Sequence, residues 1–98
     1  MIARIWTGAV RLADGDEYVD YINDTGIAAY KATPGNQGAW MLRRDTAERT
    51  EFVTLSFWDD MEAVKGFAGE DPSVAVFYPE DERFLVEADQ TVAHYEIV

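Results

Sequence analysis

His94 is the only histidine in this chain of 98 residues and the only side chain whose ordinary pKa lies near neutrality. It falls in a segment, residues 90–97 (QTVAHYEI), that reads as a strand. There it shares a face with Val92 and Glu96. Two roles fit: a general base or hydrogen-bond donor in a cleft, or a strand histidine bonded to a neighbour such as Glu96 or Arg4. Arg83 is the second candidate, the one basic residue among seven acidic ones from Glu70 to Asp89. With Tyr78 nearby it can bind a phenolate or carboxylate, and it can equally sit in a surface salt bridge. Trp6, Trp40 and Trp58 offer large flat rings with one donor each. Trp6 is the one placed to face a ligand; Trp58, ending a strand, reads as a core anchor. Thr54 and Ser56 either line a cavity or pair across a sheet.

Other chemistries have no residues to carry them. Cysteine is absent, so thiolate sites and thiol nucleophiles are excluded, and one histidine cannot build a His-rich metal site. The pairs Asp59-Asp60 and Glu70-Asp71 and the run Glu80-Asp81-Glu82 fit helix caps and solvated faces better than a cation site. No metal or cofactor is expected. No phosphate-cradling glycine loop or GxSxG elbow occurs. A formal charge of −11 repels phosphate backbones and anionic lipid, so neither nucleic acid nor membrane is an expected partner. No apolar run reaches the roughly 18 residues of a bilayer span. The chain reads as one soluble cytoplasmic domain over residues 1–98.

These candidates need a frame. Residues 2–10 (IARIWTGAV) read as a strand. Asp14 and Glu17 look like a capping box opening a helix over 15–30, with Tyr18, Ile22, Thr25 and Ala29 at helical spacing and Gly26 a weak point inside it. Thr33-Pro34-Gly35-Asn36 turns the chain. Residues 37–44 and 49–58 form a hairpin across Asp45–Glu48. In the second strand Val53, Leu55 and Phe57 point one way, and Phe52, Thr54, Ser56 and Trp58 the other. Asp59 is expected to cap a second helix buried through Met61, Val64, Phe67 and Ala68 and ended by Gly69. Asp71-Pro72 suggests a further turn or two of helix through Tyr78, and 80–86 a short helix.

The order β-α-β-β-α-β predicts an α+β, ferredoxin-like fold: a four-stranded antiparallel sheet with its helices on one face. Trp40 and Leu42 oppose Ala39 and Met41, so both faces of the sheet are apolar and the uncovered one needs a second layer. A second copy, related by two-fold symmetry, is the simplest source. Burying about 800 Å² on each partner at about 25 cal/mol/Å² outweighs the rigid-body entropy of association. A homodimer follows.

The chain resembles the antibiotic biosynthesis monooxygenase (ABM) family of dimeric α+β barrels. The likeness rests on the opening strand, the Pro34-Gly35 turn, the central hairpin, the Phe57-Trp58-Asp59 junction, and the closing Tyr95-Glu96-Ile97-Val98. The segment from Phe77 to Leu85 looks like the mark of a subgroup. The resemblance implies a dimeric barrel with a pocket in each subunit, between the sheet and its helices. Some members oxidise electron-rich aromatic polyketides with O₂ and no cofactor. Carried onto this chain, Trp6 and Phe67 would hold a planar aromatic ring, Phe77 and Tyr78 would cover it, and His94 or Arg83 would polarise or deprotonate a hydroxyl. Haem-degrading relatives use an Asn on strand one, a Trp on helix two and a His beyond it. Here strand one carries Arg4, Trp6 and Thr7, and the other two places hold Phe67 and Phe77, so haem degradation is not implied. The alternative is a homodimer that binds a small molecule without chemistry.

Overall fold

The strands divide their side chains between two faces as the alternation of residue types demands. In a computed structural model describing residues 1–98, β1 (Ile2–Arg11) runs through the middle of an antiparallel sheet. β3 (Arg49–Trp58) lies on one side of β1, and β2 (Asn36–Asp45) lies beyond β3. The other edge of β1 is shared by two short strands, β4 (Leu85–Ala88) near Gly8–Val10 and β5 (Ala93–Glu96) near Ile2–Ile5. The order β2-β3-β1-β4 is the predicted ferredoxin-like one. The last strand expected over 90–97 forms as β5, and β4, which was not expected, precedes it and makes the sheet five-stranded, with a break between the two from Asp89 to Val92. Trp6 Nε1 donates to Asp89 O at 2.9 Å, and the Thr7 hydroxyl donates to the Asp89 carboxylate, which holds the break open.

Helical cover lies on one face. α1 (Gly15–Ile22) runs into a π-helical turn (Asn23–Ile27) and on into α2 (Ala28–Ala32). The expected stripe of Thr25 and Ala29 is displaced: after Gly15, the buried residues are Tyr18, Ile22, Gly26, Ile27 and Tyr30. A π turn winds wider than an α turn, which keeps these four- and three-residue steps facing the sheet. Thr25 Oγ1 donating back to Tyr21 O at 2.8 Å supports that widening. Asp14 does not cap α1; it pairs with Arg11 at 3.0 Å. α3 (Met61–Ala68) is capped by Asp60 rather than Asp59, its Oδ1 accepting from Ala63 N at 2.9 Å. Asp59 is occupied elsewhere, accepting from Gln37 Nε2 at 2.7 Å.

The Pro34-Gly35 turn joins these layers. Gly35 has φ +90°, and a Cβ there would lie 2.5 Å from Ala63 Cβ. Only glycine admits both the backbone and the approach of α3. The helix expected over 73–78 does not form: Val74 bridges to Thr91, and Ala75 N donates to Gln90 O at 3.0 Å. The β-branched Val74 and Val76 favour this extended pairing. The short helix expected at 80–86 is α4 (Asp81–Phe84), which gives way directly to β4.

The core fills the space between helices and sheet. Tyr18 packs on Phe52 and Phe84 with centroids 5.3 and 5.4 Å away, and Trp58 meets Tyr30 edge-on at 5.7 Å. The opposite sheet face has no cover. Trp40 is 50% and Tyr95 60% exposed, with Leu42 and Ile97 beside them. No helix is long and apolar enough to cross a membrane.

Candidate functional site

Besides a wide, open depression of about 650 Å³ bordered by Phe77, Tyr78, Asp81, Leu85 and Val86, two hollows remain, and their residues separate them. The larger, about 410 Å³, lies on the uncovered sheet face among Leu42, Val53, Arg44, Arg49, Glu51 and Glu87. Its arginines are spoken for: Arg44 pairs with Glu51 at 2.5 Å, and Arg49 with Glu51 at 3.0 Å and with Glu87. Nothing there is left to recognise a ligand. The smaller is a cleft of about 30 Å³ between the covered sheet face and the helices. It is wide enough for one ordered water or so as it stands, and its lining is chemically specific.

β1 places Arg4 and Trp6 on the cleft floor because residues two apart share a face. Thr54 of β3, paired opposite Trp6, adds a hydroxyl. The π turn brings Gly26 and Ile27 to one wall and α3 brings Phe67. Phe77 and Tyr78 close the mouth. Phe77 meets Trp6 edge-on at 6.3 Å yet stays 41% exposed, so it stands as a cover rather than a core residue. Tyr78 packs over Gly26, where a Cβ would meet its ring at an ordinary contact distance of 3.5 Å.

Asp81 was not singled out from the sequence, where it sat inside an acidic run. It is only 4% exposed and lines the cleft. Its Oδ1 accepts from Tyr18 Oη at 3.2 Å and its Oδ2 from Tyr78 N at 2.7 Å. Burial pushes its pKa up, against these two hydrogen bonds. Burial and the neighbouring Asp81 also push the Tyr18 phenol up, so it remains a donor. Tyr78 is raised as well, by burial and then by Tyr30 and Asp81.

The six residues singled out from the sequence fall into two groups. Trp6, Phe67, Phe77 and Tyr78 all line the one cleft. His94 and Arg83 do not. Arg83 lies on the outer surface, 3.6 Å from Glu80 and 3.8 Å from Glu17, with its guanidinium over the Phe84 ring at 4.0 Å. His94, opposite Arg4 in the sheet, has its Nε2 2.9 Å from Arg4 Nη1. Arginine can only donate, so Nε2 is the acceptor and its lone pair is engaged. Burial and then the Arg4 charge lower the His94 pKa, which leaves the ring neutral at pH 7.

This predicts an acid limb in stability. Because His94 takes a proton more readily in the unfolded chain, its contribution is complete above about pH 6.5. It is lost as pH falls through the lower folded value. Denaturant midpoints measured from pH 7 to 5 should fall in the wild type and fall less in His94→Gln. Parallel curves would contradict this assignment.

No family model matches the sequence, and no curated protein matches it. Solved structures do. A Bacillus cereus protein assigned as an antibiotic biosynthesis monooxygenase superposes with a TM-score of 0.66 at 17% identity, over 98% of this chain and 91% of the other. A point variant of MhuD with two manganese protoporphyrin IX per active site gives 0.66 at 21% identity, over 100% of this chain and 95% of the other. The haem degrader MhuD of Mycobacterium tuberculosis, with two haems in its active site, gives 0.64 at 19%, over 100% and 96%. At these identities the likeness fixes the architecture and leaves the chemistry to this chain's own residues. The chain has the α+β fold shared by this antibiotic biosynthesis monooxygenase and the haem-degrading MhuD.

Proposed function

We propose that the protein is an ABM-like, cofactor-independent monooxygenase acting on a small planar aromatic. The observation that carries this reading is the meeting of Trp6, Phe67, Phe77 and Tyr78 in a single enclosed cleft. Aromatic walls hold a flat ring by stacking and edge contacts, and their exclusion of water strengthens polar interactions inside. A phenol bound there reacts with O₂ once its hydroxyl is ionised, because the phenolate is rich enough in electrons to pass one to O₂. The balance is phenol plus O₂ giving quinone plus water. One oxygen atom enters the ring, the other leaves as water, and the substrate supplies all the electrons. Asp81, the carboxylate of the cleft, accepts the hydroxyl proton; its raised pKa makes it a better base than a surface carboxylate.

Haem does not fit these residues. No imidazole or thiolate lines the cleft, and the one histidine is engaged by Arg4. A cleft of about 30 Å³ also requires Phe77 and Tyr78 to swing outward for even a single ring to enter.

The same reading makes the protein a homodimer. Two copies joined through the apolar face of Trp40, Leu42, Val53, Leu55 and Tyr95 would form an α+β barrel and leave each cleft open at the opposite side of its sheet. A second reading, a dimer that binds the same ligand without chemistry, draws support from the engaged lone pair of His94, which leaves Asp81 as the only base. Oxygen uptake separates the two. With a panel of naphthols and hydroquinones, the wild type should consume O₂ above the no-protein rate and place label from ¹⁸O₂ in the product. Asp81→Asn should lower the rate by about 10²-fold, in the range of a lost general base. Uptake equal to the blank across the panel contradicts the oxygenase reading.

A further inference from the structure

The cleft contains a cation with no counter-ion. Arg4 is 1% exposed, yet it takes part in none of the molecule's ion pairs. Its partners are all neutral. Nε donates to Tyr30 Oη at 3.4 Å, and Nη1 donates to Pro72 O at 2.7 Å and to His94 Nε2 at 2.9 Å. Nη2 makes no hydrogen bond within the protein. No fully enclosed side-chain nitrogen or oxygen lacks a partner, so the bare Nη2 faces the cleft that Arg4 lines. The Thr54 hydroxyl lines the same cleft and is likewise without a protein partner. Phe67 stacks under the guanidinium, 5.7 Å from its centre.

A buried charge is normally paired, because desolvation without a partner is costly. The fold uses Nε and Nη1 of Arg4 but supplies no anion: Ser56, opposite it in the sheet, accepts from Trp58 instead. We propose that Arg4 is an anion anchor and that the ligand is a planar aromatic carrying a carboxylate or an ionised hydroxyl. Nη2 holds the anionic oxygen, with the Thr54 hydroxyl beside it. The proposal rests on the reading that the cleft binds a ring, and narrows it to one class of ring. Asp81 shares the cleft, but its oxygens are already held by Tyr18 and Tyr78, so its charge does not satisfy Arg4. Selectivity follows from the ligand's absence as much as its presence. A neutral ring leaves the guanidinium unpaired, whereas an anion forms a charge-assisted hydrogen bond in a site that excludes water.

Calorimetry at pH 7 with 2-naphthoate and its neutral analogue 2-naphthamide tests this. The wild type should bind the naphthoate at least about tenfold more tightly, the size of effect expected when a buried polar group is left unpaired. Arg4→Met should bind the two alike, and Arg4→Lys should retain part of the preference. The wild-type contrast stands even if Arg4→Met fails to fold. Equal wild-type affinities overturn the anchor and leave the ring cleft intact, as does a preference that survives in Arg4→Met. Failure of both ligands to bind at millimolar concentration overturns the anchor and the cleft together.

Discussion

Trp58→Ala is expected to cost about 3–5 kcal/mol of folding stability, the range for truncating a fully buried large aromatic. A domain of this length has roughly 5–15 kcal/mol in total, so most of the margin goes. Trp58 is 0% exposed and sits where β3, α2 and α3 meet. Its ring touches Tyr30 of α2 at 5.7 Å and Phe67 of α3 at 6.1 Å, and its Nε1 donates to Ser56 Oγ at 2.9 Å. Truncation would open a void beneath both helices and leave the Ser56 hydroxyl without its donor. Urea unfolding followed by circular dichroism measures the loss. A cost under about 1 kcal/mol, typical of surface changes, would mean that the helices are not held through this residue.

The second large effect belongs to the uncovered sheet face. Trp40→Asp should convert a dimer to a monomer in light scattering, with the mass falling to 11.1 kDa. Trp40 is half exposed and leans on Phe57, with centroids 5.7 Å apart. A half-exposed aromatic in a mostly apolar patch is the kind of residue that dominates an interface. A carboxylate there would be buried unpaired in each copy, twice over by symmetry. The covered face is untouched, so secondary structure should persist. A wild type that is already monomeric and stable at micromolar concentration would contradict the dimer.

The three long strands were legible in the sequence because period-two alternation runs through them: β3 was bounded at Arg49 and Trp58 from its residue types alone, whereas β4, four residues long and joined directly to α4, was not read as a strand. The faces were legible for the same reason, Trp40 and Leu42 against Ala39 and Met41. The extended course of 73–78 was not, because the Asp71-Pro72 helix signal is local while the competing bonds to residues 90–92 are not. The capping of α3 turned on which of two adjacent aspartates was free, and only the contact of Asp59 with Gln37 decides that. The π turn escaped notice because its effect is a one-position drift of the buried stripe, which Thr25 and Ala29 disguised by fitting an ordinary helix.

The site shows the same division. The four aromatic candidates converge because their elements are correctly ordered, and the order was visible. Arg4 and Asp81 escaped notice as site residues because charged residues are normally exposed, and neither burial nor missing partners can be read from residue types. Arg4 offered one signal in hindsight: it is a charge set between Ala3 and Ile5 on a central strand, on the same face as Trp6. His94 stands next to it as a neutral acceptor, and the two together account for a cation that the fold leaves uncompensated.

The cleft has one seat for one flat ring, between the floor of β1 and the cover formed by Phe77 and Tyr78. A crystal structure of the protein grown with 2-naphthoate tests it most directly. The prediction is a ring against Trp6 and Phe67, its carboxylate on Arg4 Nη2, with Phe77 displaced outward. A naphthoate found only on the uncovered sheet face, with the cleft still closed at saturating concentration, would contradict it.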